Sequence, residues 1–328
     1  MALRTRLTER LGIEHPIISA PMGFFAGGRL AAAVSNAGGL GLIGGGYGDQ
    51  DWLDREFAEA GNARVGCGFI TWSIALKPNL LDSVLALSPA ALMLSFGTLA
   101  PFARRIKAAS IPLICQVQSL ARALEAIDAG ADIIVAQGGE AGGHGGMRAT
   151  LTLVPEIADL LAARAPETLL AAAGGIADGR GLAASLMLGA DGVLLGSRLV
   201  ASTEALTPPG FYEAIVAANG DSTVKTDVID IVRNFQWPGA EFSGRALKTA
   251  FVAEWHGRED ALAEGGTNAV ENERFWKAFR SGDADNTGVF MGEAAGLIHD
   301  IRPAASILED MVAEAERLLG RNDFRRRN

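Results

Sequence analysis

Cysteine is scarce in this sequence: the 328 residues include two, Cys67 and Cys115. Two widely spaced thiols cannot build a disulfide framework or the CxxC pairs of a thiolate metal site. Both lie in apolar runs and read as buried free thiols of a reducing compartment, so a cytoplasmic protein is expected. Histidine is also rare, with four. None of them falls into an HxH, HxxxH or HExxH spacing, and no metal is expected. No stretch offers the roughly 20 apolar residues that a membrane span requires, and residues 1–16 lack the apolar core of a secretory leader. Positive charge is in deficit, with 29 Lys and Arg against 38 Asp and Glu for a net −9. A chain without a broad basic stripe is a poor nucleic-acid binder. The run Arg325, Arg326 and Arg327 reads as a solvated tail.

Glycine is abundant. There are 41 in 328 residues, well above the roughly 7% of average usage. The glycines have no three-residue period, which excludes a collagen-like chain, and they cluster at 38–39, 44–46, 138–139, 142–143, 145–146 and 174–175. Hydrophobic residues make up 49% and charged residues 20%, enough apolar material for a sizeable core.

Short apolar runs alternate with longer segments of helical period. The runs are Pro16–Met22, Leu40–Gly44, Val65–Ile70, Ala91–Phe96, Pro112–Val117, Asp132–Ala136, Leu169–Ala173 and Gly192–Gly196. Runs that are apolar throughout, each followed by a helix, indicate a parallel sheet covered by helices. Eight βα units in about 200 residues predict an α/β protein with a closed (β/α)8 barrel. Gly38, Gly61, Gly130 and Gly189 close the intervening helices. From Thr203 the alternation stops and most of the aromatics appear. We read 1–202 and 288–328 as the barrel and 203–287 as a mainly helical insertion, a substrate-side subdomain. Helical spacing over Glu309–Leu319 supplies a last barrel helix.

In such barrels chemistry sits at the C-terminal ends of the strands, which is where the glycine clusters fall. Gly174 and Gly175 follow the seventh run and Gly196-Ser197 the eighth. These are the places where backbone N–H groups bind phosphate in this fold. The sixth run leads into Gln137-Gly138-Gly139-Glu140-Ala141-Gly142-Gly143-His144. An imidazole held on backbone, with few neighbouring side chains, can reach a substrate and act near neutral pH. His15, His256 and His299 read as structural or surface residues. Ala20, Pro21 and Met22 offer a flat apolar edge for an aromatic cofactor, with the amides of Gln116 and Gln137 for its heteroatoms. Glu140 is either an acid/base or a loop carboxylate paired with Arg148 or Arg180. Trp237, Phe235, Phe242 and Trp255 read as core packing, with pocket lining as the alternative.

These residues resemble a known family. Ala20-Pro21-Met22, Leu30-Ala31 through Asn36-Ala37-Gly38-Gly39-Leu40-Gly41, the string from Gln137 to Gly145, and Ala173-Gly174-Gly175-Ile176 through Gly189-Ala190-Asp191-Gly192 are similar to nitronate monooxygenases (2-nitropropane dioxygenases). Met291–Ile298 looks like the closing motif of that family. The resemblance implies a metal-free, FMN-dependent oxidation of nitronates by O2 to a carbonyl compound and nitrite, with His144 as catalytic base or hydrogen-bond partner. It places the FMN phosphate at Gly174, Gly175, Gly196 and Ser197. The rest of the flavin falls at Ala20–Met22, Gln137 and Gly142, with Gln116 and Gly143 beside them. One departure stands out: the third strand carries Gly68 where the family has Asn, leaving Thr71 or Gln116 to replace that amide.

The main alternative keeps the flavin and uses NAD(P)H, as in FMN-dependent enoyl-acyl-carrier-protein or quinone reductases. A non-flavin sugar-phosphate enzyme should show a Lys or paired carboxylates at the strand ends, and none is evident. Flavin binding without catalysis leaves His144 unexplained. The sequence leaves the oligomeric state open, a homodimer being one option.

Overall fold

The computed structural model describes residues 3–77, 79–238 and 241–320; the arginines at 325–327 lie outside them. Eight parallel strands form one sheet: β1 (Ile17–Ser19), β2 (Leu42–Gly46), β3 (Gly66–Ile70), β4 (Leu92–Ser95), β5 (Leu113–Val117), β6 (Ile133–Gln137) and, beyond a short β7 (Gly143–Gly145), β8 (Leu169–Ala173) and β9 (Gly192–Leu195). The order runs β1-β9-β8-β6-β5-β4-β3-β2. The two ends then meet, because Leu40 N–H donates to the Ile17 carbonyl and Ser19 N–H to that of Leu40, each at 2.9 Å. The sheet is a (β/α)8 barrel, and each expected apolar run overlaps one of its strands.

Alternation along the strands builds two cores. Ile18, Leu42, Met93, Ile114, Val135, Ala171 and Leu194 fill the barrel, and helix Arg6–Leu11 plugs its bottom with Leu7 and Leu11. Ile17, Ile43, Leu94, Ile134, Leu170 and Val193 face the helical jacket. Cys67 and Cys115 are buried free thiols on that outer face, and burial pushes the Cys115 thiol up to about 12. Helix Ala304–Leu319 packs against helix Gly179–Met187 and completes the jacket. The cap glycines expected at 38, 61, 130 and 189 all have positive φ, the region that glycine enters without strain.

The 203–287 segment carries helices between Tyr212 and Ser281 and two strands, β10 (Thr223–Thr226) and β11 (Ser243–Leu247). β10 pairs antiparallel with β11, and β11 with β7. A three-stranded sheet therefore ties this segment to the loop that leaves β6.

Close packing against helix Gly28–Asn36 leaves no room for a side chain at Gly41. A Cβ on Gly41 would overlap the Ala31 carbonyl, and overpacking of this kind costs roughly 1–3 kcal/mol or more. Gly41→Ala should lower the midpoint of denaturant unfolding accordingly; an unchanged midpoint contradicts this packing.

Candidate active site

A cavity of about 190 Å3 opens at the C-terminal ends of the barrel strands. Ala20, Pro21 and Met22 enter it from β1, Gln116 and Gln137 from β5 and β6, and Gly142, Gly143 and His144 from the start of β7. Gly174 and Gly175 follow β8, and Gly196 and Ser197 follow β9. His144 and these expected cofactor contacts all line this one cavity.

One end is built of backbone. The N–H groups of Gly175 and Gly196 donate to no backbone acceptor among the described residues, and Ser197 opens a helical turn, Ser197–Val200. Ser197 Oγ accepts the Gly292 N–H at 2.8 Å, which leaves its own proton free to donate. Two glycines of the lining, Gly196 among them, are not required by the protein's own packing. Gly23 and Gly196 have ordinary φ values, and a Cβ there would meet nothing closer than 3.8 Å. At both positions the backbone is open to close approach from the cavity. By contrast, Gly68 is dictated by the fold, since its Cβ would lie 2.6 Å from that of Pro21. Thr71, expected as one stand-in for the missing Asn amide, is not available. It is buried, donates to the Ser95 carbonyl at 2.9 Å and does not line the cavity, whereas Gln116 does.

The amides form a relay beneath the loop. Gln137 Nε2 donates to the His144 carbonyl at 2.9 Å, while its Oε1 accepts from Gln116 at 3.1 Å and Gln118 at 2.8 Å. Lys225 Nζ donates to the Gly145 carbonyl at 2.8 Å and also to that of Gly146, and Arg245 Nε to that of Gly139 at 3.1 Å. Burial brings the Lys225 ammonium down to about 8. Glu140 pairs with neither arginine. It accepts from the N–H and hydroxyl of Thr150, while Arg148 pairs with Glu156 and Arg180 with Asp178.

The other end is aromatic and surrounds His144. The imidazole was expected to have few side-chain neighbours; instead it is enclosed, because the β7–β11 pairing brings the later segment onto it. Trp237 stacks on the ring with centroids 3.6 Å apart, and Phe290 and Phe96 stand at 5.4 and 6.3 Å. Trp237 is thus a wall of the cavity rather than core packing, and its Nε1–H donates to the Tyr47 hydroxyl at 3.1 Å. Phe235 stacks on Tyr47, whereas Trp255 lies in a separate apolar cluster. Phe24 and Phe96 hold φ of 69° and 59°, strained values for bulky side chains. Nε2 of His144 lies 2.6 Å from Oδ2 of Asp230, whose Oδ1 accepts from Arg233 at 2.9 Å. Nδ1 makes no hydrogen bond with the described residues. Burial pushes the imidazole below its ordinary value; the Asp230 carboxylate pulls the other way without overcoming it. Burial also raises the Tyr47 phenol to about 12, so it stays protonated. Sequence reasoning missed Asp230, Arg233 and Tyr47. The available signal was a carboxylate inside the apolar run Val228-Ile229-Asp230-Ile231-Val232.

The sequence profile of nitronate monooxygenases matches residues 4–65 and 79–314. A nitronate monooxygenase of Neurospora crassa is 34% identical, over 92% of this chain and 89% of its own length. A bicyclic carboxyl-CoA dehydrogenase of Mycobacterium tuberculosis is 33% identical over 70% of this chain and 65% of its own length. Among solved structures, FabK from Thermotoga maritima superposes with a TM-score of 0.83 at 31% identity, covering 97% of each chain. The glycine-lined cavity, the enclosed histidine and these likenesses agree: the chain belongs to the nitronate monooxygenase family of flavin-dependent oxidoreductases.

Proposed function

We propose that the protein binds FMN and oxidises alkyl nitronates with O2 to the carbonyl compound and nitrite. The observation that carries this reading is a desolvated imidazole with an unbonded Nδ1, facing a cavity whose far end is a cradle of glycine N–H groups. FMN, when bound, would supply the electron acceptor for the substrate and the route of those electrons to O2. Gly174, Gly175, Gly196 and Ser197 would hold its phosphate, and Ala20–Met22, Gln116, Gln137, Gly142 and Gly143 its ring system. His144, neutral at physiological pH, takes the α-proton of a nitroalkane or orients a nitronate already formed. The aromatic wall from Phe24 to Trp237 excludes water and accommodates the alkyl part. Residues 203–287 act as the substrate-side subdomain, since Arg233 and Trp237 reach the cavity from it. The buried thiols suit a reducing cytoplasm.

A second reading is an FMN-dependent NAD(P)H reductase of enoyl thioesters or quinones, and the identity to a carboxyl-CoA dehydrogenase, which acts on a thioester, favours it. The two readings part in one experiment. Purified protein reconstituted with FMN should be yellow and should bleach on anaerobic mixing with ethylnitronate, but not with NADH alone. Bleaching by NADH alone supports the reductase, and failure to bind FMN removes both readings.

The role of His144 has a pH signature. Its folded value lies below the ordinary 6.5, so the base form prevails at neutrality and is lost on acidification below that range. The kcat/KM for nitroethane should therefore be flat near neutral pH and fall on the acid side. His144→Gln should keep FMN and lose nitroethane turnover by about 10²–10⁴-fold, the usual weight of a positioned base. Unchanged turnover removes His144 from the chemistry.

A further inference from the structure

The side chains that hold His144 come from far along the chain, and they form a closed set. Asp230 lies 86 residues on, in helix Val228–Val232. One carboxylate oxygen meets His144 Nε2 at 2.6 Å and the other accepts from Arg233 at 2.9 Å. Arg233 Nε is anchored on the Ile229 carbonyl at 3.0 Å. Its guanidinium lies over the rings of Phe24, Phe235 and Phe290 at 5.8, 4.9 and 5.3 Å. The three side chains are 8%, 7% and 5% exposed. Asp227 also faces the imidazole, and burial holds its carboxyl above the usual range. Tyr47 completes the charged and titratable surroundings.

Burying an ion pair for stability alone is a poor use of a position in an apolar run, because apolar residues of similar volume would serve as well. The geometry has a more specific consequence. A carboxylate is acceptor-only, so Nε2 must carry the proton of a neutral imidazole, and Nδ1 is left bare. We propose that Asp230 is a positioning residue that fixes this tautomer and so makes Nδ1 of His144 the proton-accepting atom, with Arg233 holding the carboxylate in place. This rests on the reading of His144 as the base. In the step it serves, the α-proton of a neutral nitroalkane passes to Nδ1. The C–H electron pair becomes the C=N bond of the nitronate, whose negative charge spreads over its two oxygens. The imidazolium that forms is stabilised by the carboxylate on its other nitrogen, as a short charge-assisted hydrogen bond.

The test is Asp230→Asn in the FMN-loaded protein, where an amide can donate to Nε2 and reverse the tautomer. The kcat/KM for nitroethane should fall about 10²–10⁴-fold, the range of a lost positioned base. Turnover of preformed ethylnitronate, which needs no proton removed, should change less than about tenfold. The acid limb of the nitroethane profile should move to lower pH, because Asp230 is the partner that pulls the imidazole upward. Equal losses with both substrates, or no loss with nitroethane, overturn the proposal. A second measurement does not need turnover or the variant. Side-chain 15N spectra of the wild-type protein, with His144 assigned through His144→Gln, should show Nε2 protonated and Nδ1 bare. A protonated Nδ1 overturns the proposal, whatever the folding of the variant. If His144→Gln keeps full nitroethane turnover, it is the reading of His144 as base that fails, whereas the wild-type spectrum still reports on Asp230.

Discussion

The aromatic end of the cavity hangs on a short strand pairing, Gly143–Gly145 of β7 against Ser243–Arg245 of β11. A loop this rich in glycine has little reason to hold one conformation, since glycine loses more freedom on folding than any other residue. Sheet hydrogen bonds supply the order, and cationic side chains from β10 and β11 reinforce it on the carbonyls of Gly139, Gly145 and Gly146. The same pairing brings the later part of the chain to the barrel. Asp230, Arg233 and Trp237 then lie at fixed distances from the imidazole, and an exposed loop residue becomes a desolvated one.

The barrel was legible because its strands are buried on both faces, inside by the filling of the barrel and outside by helices. Continuous apolar runs such as Leu169–Ala173 therefore stand out in the sequence. The glycine loops were legible for a related reason, as fold geometry places them at the strand ends where a ligand meets backbone. The surroundings of His144 were not. β7, β10 and β11 span three to five residues each, too few for alternation to register. The contacts that matter join residues about ninety positions apart, which no local pattern encodes. Trp237 shows the limit well: an aromatic residue before a proline has the same sequence signature in a core and in a cavity wall.

The glycines divide by physical cause. Some, such as Gly41 and Gly68, are required because a neighbouring atom already occupies the Cβ position. Others, such as Gly38 and Gly189, are required by backbone conformation. Gly23 and Gly196 answer to neither demand, and both lie on the cavity. A residue type that serves three ends looks uniform in composition, and only the surroundings of each position separate them.

The backbone at Phe24 and Phe96 has a consequence for the evolution of this chain. Conformations of this kind cost of order 1–3 kcal/mol each for a residue with a side chain, and glycine would relieve both. Either replacement would also remove a ring from around the imidazole or the guanidinium that supports it. Selection for robustness and selection for turnover therefore pull in opposite directions at these two positions. Phenylalanine retained there across descendants would record a working site, and drift to glycine would record a scaffold released from its chemistry.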